Sequence, residues 1–423
     1  MAAYSGMSSI DVNAFIGMNT VKQKERLFVA EGVAEPTVIL NADVTDAGRV
    51  EIRDGQTLRT ALSGANSLWA GNLCMLCSAG NVLYKLSQNI ATSIGSVTGV
   101  SDQYPLSYTE AENKVYVSNR HYQGVYNPIT GTLGDWGVTL PPEPMLTTTT
   151  GNLQSGIYHV CFTNVSGNEI SGNGPISKIE LTTESGIQIL NLPTGAIVWI
   201  TDPNESIFYP VGTVSKIVGP PNNVEPLPSF LCSPPPYLEN LSYAFGRIWG
   251  SVGPIVYYSE PMRFGWFKLQ SNFFKFESDV TVIAMVPTGL FFGTKEHTWF
   301  MVGNEPEKMS QVHAGAGSIA GSLAYCNNLP ELGDILGTPE KGYVNVPVWR
   351  TKEGIVAGNA AGRLYNLSKG KVVMGDPGKG ASLYMESGAG VFKFITSSRF
   401  ADTAGFHDDV ICEVLRNGVL FEG

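Results

Sequence analysis

Cys74 and Cys77 have the CxxC spacing found in metal and redox sites, and they are the first residues in this chain whose spacing could support chemistry. The stretch Cys74-Met75-Leu76-Cys77 is apolar and typical of a β-strand, where residues i and i+3 point to opposite faces. No second CxxC and no His pair follows it in the sequence. We therefore interpret both as structural thiols, and we expect free thiols throughout the set of six cysteines: Cys74, Cys77, Cys161, Cys232, Cys326 and Cys412.

Two further short motifs resemble ligand sites. His407, Asp408 and Asp409 carry metal-ligating groups, but adjacent residues rarely converge on one ion, so we expect a solvated loop. The stretch GDPGKG (375–380) resembles a phosphate-binding loop, yet its Lys is followed by Gly where Ser or Thr should bind magnesium. We expect a turn there.

The remaining candidates for catalysis are single histidines, because the chain lacks the catalytic motifs known from propeller enzymes. His121, His159, His297 and His313 stand in isolated contexts and are expected to be surface or satisfied strand residues. The sequence has no Gly-x-Ser-x-Gly nucleophile elbow and no sialidase Asp-box. Paired carboxylates for glycoside hydrolysis can converge only in the fold. We predict no catalytic, cofactor-binding or metal-binding residues, no cofactor, and no enzymatic activity.

Composition indicates which elements position these residues. Charged residues make up only 15% of the chain and apolar ones 43%, with 48 Gly and 25 Pro, a mixture that favours short strands and tight turns over long helices. The net charge of −10 argues against a basic nucleic-acid surface. The first residues lack a basic n-region, and no apolar run reaches a membrane span, so we expect synthesis in the cytosol.

An internal repeat predicts the fold. LSYTEAENKVYVSNRHYQGVYNP (106–128) aligns with LSYAFGRIWGSVGPIVYYSEP (241–261), and weaker copies occur at 71–86, 288–303 and 354–367. A period of about 40–45 residues with four short strands per unit is that of β-propeller blades. We predict an all-β propeller of five or six blades, preferably six. We expect the strand-like segment 48–58 and the C-terminal hairpin around Asn417-Gly418 to complete one blade together.

The repeat is interrupted, and the interruption defines three segments. Residues 1–140 should hold the N-terminal arm and first blades, and 219–423 a Pro-rich linker with the remaining blades. Between them, 141–218 shows short alternating strands and resembles a fibronectin type III-like β-sandwich. Because the insertion lies between two matching blades, we expect it to fold on its own core and its removal to be tolerated.

The N-terminal region resembles propeller-type virion proteins of tailed bacteriophages. The resemblance rests on FIGMNTV (15–21), NADVTDAGRVEIRDG (41–55), NSLW (66–69) and LSYTEAENKVYVSN (106–119). It implies a tail hub, nozzle or DNA-stabilisation protein of short-tailed phages that assembles as a ring, usually of six copies. It further implies portal, adaptor and fibre or spike proteins as partners, passage of DNA through the ring, and a place in the virion tail after assembly in the host cytoplasm. An acidic wall would repel passing phosphates.

Two alternatives remain open from the sequence. A receptor-binding fibre or baseplate protein would stack glycans on exposed aromatic residues such as Trp249, Trp266 or Trp349, although burial of these strand aromatics is the commoner arrangement. A propeller-fold enzyme that degrades polysaccharide is the third hypothesis. A hexameric ring without ligand would favour the tail hub, glycan binding by a trimer the fibre, and turnover the enzyme.

Overall fold

The computed structural model is all-β, and its sheets are small and antiparallel. The structure describes residues 12–15, 19, 21–23, 26–30, 32–36, 42–44, 49–52, 60–222, 225–326, 345–369, 377–387, 391–400, 413–416 and 419–422. A 3-10 turn occurs at Pro306–Lys308. No helix in the described ranges has the length and apolarity to cross a membrane.

The chain divides into two compact units, Arg59–Lys275 and a second unit formed by Met1–Leu58 with Phe276–Gly423. The described residues of the N-terminal part of the second unit contain five short strands. Strands β1 and β2 flank β3, and β4 pairs with β5. Their bounds are β1 (Ala14–Phe15), β2 (Phe28–Ala30), β3 (Val33–Ala34), β4 (Ala42–Val44) and β5 (Val50–Ile52).

The unit Arg59–Lys275 contains three four-stranded antiparallel sheets in which each strand pairs with the next along the chain. This order is that of propeller blades. Blade 1 is β6 (Ala65–Ala70), β7 (Met75–Ala79), β8 (Val82–Ser87) and β9 (Ile90–Ser96). Blade 2 is β10 (Ser107–Ala111), β11 (Lys114–Ser118), β12 (Gln123–Asn127) and β13 (Thr132–Gly134). Between blades 2 and 3 lies the insertion, with strands β14 (Leu146–Leu153), β15 (Gly156–Thr163), β16 (Val165–Ser166), β17 (Glu169–Ile170), β18 (Ser177–Leu181), β19 (Ser185–Ile189), β20 (Ile197–Thr201), β21 (Phe208–Gly212) and β22 (Lys216–Ile217). Blade 3 is β23 (Glu239–Ala244), β24 (Arg247–Val252), β25 (Ile255–Tyr258) and β26 (Phe273–Lys275).

The second unit contributes three more sheets of the same order, so the described residues form six blades of a β-propeller fold. Blade 4 is β27 (Val280–Val286), β28 (Gly289–Thr294), β29 (His297–Val302) and β30 (Ser310–Ala316). Blade 5 is β31 (Ala324–Cys326), β32 (Val346–Thr351), β33 (Gly354–Gly358) and β34 (Leu364–Asn366). Blade 6 is β35 (Pro377–Ser387), β36 (Val391–Phe400), β37 (Glu413–Arg416) and β38 (Val419–Glu422).

Central blade strands are buried on both faces. All residues of β28 and β33 are buried, and both strands consist almost entirely of apolar residues and Gly. One apolar cluster joins blades 1 and 2 around Leu76 and Val117, and another joins blades 2 and 3 around Tyr116 and Ile248. Hydrogen bonds reinforce the second contact, because the Leu238 N–H donates to Ser118 Oγ at 3.0 Å. Strands without a polar face need a neighbour on each side, and repetition of the blade supplies it.

The insertion forms two sheets that face each other across one core. The three-stranded sheet has the order β14-β19-β22 and the four-stranded sheet the order β18-β15-β20-β21. Tyr158, Val160 and Phe162 point inward from β15, and Ile187 and Ile189 point inward from β19. A β-sandwich is therefore present, and its fibronectin type III relationship stays a prediction. Its first and last strands, β14 and β22, both pair with β19.

Two local expectations from the sequence are corrected. Val50–Ile52, inside the segment 48–58, pairs with Ala42–Val44, whereas all four strands of blade 6 come from 377–422. The final hairpin supplies the fourth strand locally, since β37 and β38 pair across the two residues Asn417 and Gly418. In GDPGKG, residues 377–380 begin the long strand β35 rather than a turn, while 375 and 376 lie outside the described residues.

The described cysteines are free thiols. Cys77, Cys161, Cys232 and Cys326 are buried, and Cys74 is half-buried just before β7. Burial raises the pKa of the Cys161 and Cys326 thiols to about 12 and that of Cys232 to about 11. Because the thiolate is the reactive form, these groups are chemically protected in the folded protein. Cys412 lies outside the described residues.

We predict that a Cys412→Ser variant titrated with a disulfide reagent at pH 8 reacts first at Cys74, since that thiol is the least buried of the five. Cys161 and Cys326 should react only after denaturant is added. Peptide mapping of the modified protein measures the order. Rapid labelling of Cys161 in the native protein would contradict the burial described for β15.

Candidate interaction surface

The three tryptophans considered for glycan stacking are not equivalent. Trp249 and Trp349 are fully buried in blades 3 and 5, where Trp249 packs against Tyr258 with ring centroids 4.7 Å apart. Trp349 packs against Phe291 of blade 4 at 5.5 Å. Neither ring is accessible to a glycan. The interpretation of both as buried strand aromatics is correct.

Trp266 connects the sandwich to blade 3. It follows β25 and is half-buried, its Nε1–H donates to the carbonyl of Ile170 at 2.7 Å, and the Arg263 guanidinium lies 5.2 Å from its ring centroid. Ile170 belongs to the small hairpin β16–β17 of the insertion. This indole is therefore a structural contact between sandwich and blade rather than an open stacking platform.

A second contact holds the sandwich two residues further along the chain from Ile170. Gly172 lies so close to the returning chain that a Cβ at this position would overlap the carbonyl oxygen of Cys232. The hydroxyl of Ser229 donates to the carbonyl of Ser171 at 2.7 Å, and Asn173 Oδ1 accepts from the Leu231 N–H at 2.7 Å. Glycine at 172 is required because the two backbones meet there.

The Pro-rich segment 219–236, predicted as a linker, also covers the sandwich. The outer face of the four-stranded sheet carries Cys161 and Trp199, which form an apolar cluster with Phe208, Leu227 and Phe230. The Phe208 and Phe230 rings stack with centroids 5.5 Å apart. The part of this segment around Leu227 and Phe230 therefore shields an apolar sheet face, so its contacts belong with the sandwich.

An exposed apolar patch lies at one end of the three-stranded sheet. We call Met145, Leu190 and Val214 the sandwich patch; their exposed fractions are 58%, 63% and 40%. The Leu190 N–H donates to the Met145 carbonyl at 2.9 Å, and Val214 precedes Ser215, whose carbonyl accepts from the Ile189 N–H at 2.8 Å. The three residues thus lie side by side just beyond the ends of the neighbouring strands β14, β19 and β22. Exposed apolar residues that cluster in this way are typical of protein-contact surfaces.

The four histidines fall in different places, and two of them come together. His121 is exposed in the turn after β11, with its ring 4.9 Å from that of Tyr104, and His159 lies on β15. His297 and His313, which look isolated in the sequence, have ring centroids only 5.2 Å apart on β29 and β30. The sequence does not reveal this pair, because the two rings are brought together by a bulge in β30.

Trp299 lies beside this histidine pair and was not singled out in the sequence. Its Nε1–H donates to Glu277 Oε2 at 2.9 Å, and Thr294 Oγ1 donates to Glu277 Oε1 at 2.6 Å. Burial acts to raise the pKa of the Glu277 carboxyl, but these hydrogen bonds together with His297 lower it overall. The carboxylate is therefore held ionised beside the aromatic cluster.

No group of three or more His, Cys, Asp or Glu side chains that could hold a metal ion occurs in the described part of the chain. His407, Asp408 and Asp409 lie outside it, so the prediction for that loop stays a prediction.

Comparison with known proteins gives no family. No family model matches the chain, and no curated protein matches it. Among solved structures, the Neurospora crassa Pan2 WD40 domain is similar at 10% identity over 80% of this chain and 92% of that one, with a TM-score of 0.31. A structure of BBS1N in complex with ARL6DN is similar at 9% identity over 82% and 95%, with a TM-score of 0.30. The N-terminal domain of Nup159 is similar at 9% identity over 84% and 75%, with a TM-score of 0.28.

The contact at Gly172 yields a prediction. Gly172→Ala should lower the free energy of unfolding by about 2 to 3 kcal/mol, because the added methyl group forces the Cys232 backbone away. Gly219→Ala is the matched control, since a Cβ there meets no atom within 4 Å. Urea denaturation of both variants measures the difference. Equal stabilities would show that the two backbones are not held together.

The apolar contacts of Leu227 and Phe230 with the sandwich reverse the expectation that deletion of 141–218 alone is tolerated. Replacing 141–218 with a Gly-Ser linker should expose these residues and give a protein that aggregates, whereas replacing 141–232 should give a soluble one. In the deletion of 141–232 the linker spans a short gap, because the chain on both sides is already in contact: a Cβ at Gly137 would lie 3.0 Å from Pro235 Cδ. Size-exclusion chromatography and thermal melting compare the two. A soluble, cooperatively melting 141–218 deletion would restore the boundary at 218.

Proposed function

We propose that this chain is a structural component of a bacteriophage tail, a hub or nozzle ring that extends or closes the DNA exit channel below the portal and adaptor. The observation that carries the proposal is the resemblance of residues 10–130 to propeller-type virion proteins. The fold supports the proposal only at the level of architecture: the blades are interrupted by a sandwich, and this sandwich is hydrogen-bonded to its neighbouring blade.

The chemistry of the chain is compatible with such a role. A net charge of −10 over 423 residues disfavours persistent binding of phosphates, which a DNA conduit must avoid. We propose no enzymatic activity, since a structural ring has no need of one. The proposed partners are further copies of the chain, the portal and adaptor proteins, and a fibre or spike protein.

The sandwich patch is the proposed attachment point for another tail protein. Met145, Leu190 and Val214 are on the module that the blades hold in place, and their exposed apolar area would be covered on assembly. Anchoring through Trp266 and Gly172 would keep the patch from moving relative to blade 3. A fixed surface loses less conformational entropy on binding than a tethered one.

The glycan-binding fibre protein is the second hypothesis, and it now lacks its three stacking residues, because Trp249 and Trp349 are buried and the Trp266 indole contacts the sandwich. Glycan-array binding by a trimeric protein would favour it over the tail hub. Release of reducing sugars from envelope polysaccharide would favour an enzyme.

We expect a ring of six copies when the purified protein is mixed with a portal–adaptor complex from a short-tailed phage and imaged by negative-stain electron microscopy. Without the complex the protein should not form a stable hexamer, because Gly- and Asn-rich turns adapt to a partner more readily than they self-associate. Absence of any ring on the portal–adaptor complex would contradict the hub proposal.

Leu190→Asp should reduce incorporation of the protein into assembled particles by about tenfold or more, because a buried unpaired carboxylate opposes contact. Ile129→Asp is the matched control, because Ile129 is 82% exposed in the turn between β12 and β13 of blade 2 and does not belong to the sandwich. Immunoblots of purified particles give the incorporated amounts. Equal incorporation of both variants would remove the patch from the proposed interface without affecting the ring itself.

A further inference from the structure

The exposed face of blade 4 holds a pair of imidazoles. His297 is on β29 and His313 on β30, both side chains are exposed, and their rings are inclined at 69° with centroids 5.2 Å apart. Both lie within one compact unit, on adjacent strands of a single sheet. One sheet therefore presents both side chains.

A β-bulge creates the pair. Thr298 pairs with Gly315, but the next residue, Trp299, pairs with His313, so Ala314 is the extra residue in β30. In an unbroken register His313 would lie opposite Phe300, which is buried on the other face of the strand. The bulge moves His313 to the exposed face that His297 occupies. Bulges commonly re-aim side chains at functional positions.

The separation of the two rings suits a shared metal ion. Imidazole nitrogens bind zinc at about 2.0–2.1 Å, and two rings bound to one tetrahedral ion have centres about 5 Å apart. The observed 5.2 Å lies within reach of that arrangement. Imidazole ligands favour zinc, copper and nickel over calcium and magnesium, which prefer oxygen.

The surroundings leave the pair available. Trp299 packs edge-to-face with both rings, at 5.9 Å from His297 and 5.3 Å from His313. The Glu277 carboxylate is engaged by Trp299 and Thr294. Two other charged groups in the turn before β29 also have partners: Lys295 pairs with Asp279 at 2.6 Å, and Glu296 lies 3.8 Å from Lys352.

We propose that His297 and His313 bind one divalent transition-metal ion on the surface of blade 4, with the remaining coordination positions open to solvent or to a donor from another protein. Glu277 acts through Trp299, whose indole it orients beside the ion. The site is independent of the proposed tail function.

The test uses full-length, tag-free protein and the metals alone. Isothermal titration with Zn²⁺ or Ni²⁺ should give one site per chain, and Ca²⁺ should not compete. His297→Ala and His313→Ala should each weaken binding by about tenfold or more, and the double variant should abolish it. His407→Ala and His121→Ala are the controls and should bind as the parent does. Thermal unfolding confirms that the exposed substitutions leave the fold intact.

Fluorescence locates the ion. Cu²⁺ bound by the pair should quench Trp299, whose ring is 5.3 Å from that of His313, and this quenched fraction should vanish in Trp299→Phe. No binding by the parent protein, or binding unchanged in the His297/His313 double variant, would overturn the proposal. Loss of binding in His407→Ala alone would assign the ion to the C-terminal loop instead.

Discussion

Burial of the central blade strands on both faces is the constraint on which the rest of the structure depends. Strands β28 and β33 present no polar face, and neither could exist in an isolated sheet. Each blade is therefore stable only with neighbours, as the apolar clusters that join blades 1 to 2, 2 to 3 and 4 to 5 illustrate. Exposed polar side chains lie on the parts of a blade that this packing leaves open, such as the exposed face of β29 and β30 and the turn that carries His121.

The sandwich obeys a different constraint, because it has its own core and needs its neighbour only for orientation. Tyr158, Val160 and Phe162 fill that core without any blade residue. The backbone of Gly172 approaches Cys232 of the Pro-rich segment, and the Trp266 indole of blade 3 donates a hydrogen bond to the sandwich. A module attached in this way can diverge on its exposed surface while the junction stays fixed. That separation of roles suits an element that adapts to different partners.

The sequence predicted the architecture well, since the repeat at 106–128 and 241–261 gives β10–β12 and β23–β25 at equivalent positions. It was also sufficient to predict a β-sandwich and buried tryptophans at 249 and 349. The sequence did not predict contacts that depend on the register of paired strands or on segments that are distant in the chain but close in the fold. The pairing of Trp299 with His313 depends on one extra residue in β30, and no periodicity reports such a bulge. The covering role of Leu227 and Phe230 was hidden because a Pro-rich composition is equally typical of a free linker.

The arrangement of β14 and β22 around β19 has a mechanical consequence. Both outer strands run antiparallel to β19 and hence parallel to each other, and the chain enters at the start of β14 and leaves at the end of β22. Tension along the chain would therefore load the hydrogen bonds of this sheet in shear, so that they must break together rather than one after another. Forced unfolding is governed by the unfolding rate, and a shear geometry keeps that rate low. A pull on the two ends of the sandwich would therefore act on the hydrogen bonds between β14, β19 and β22 all at once.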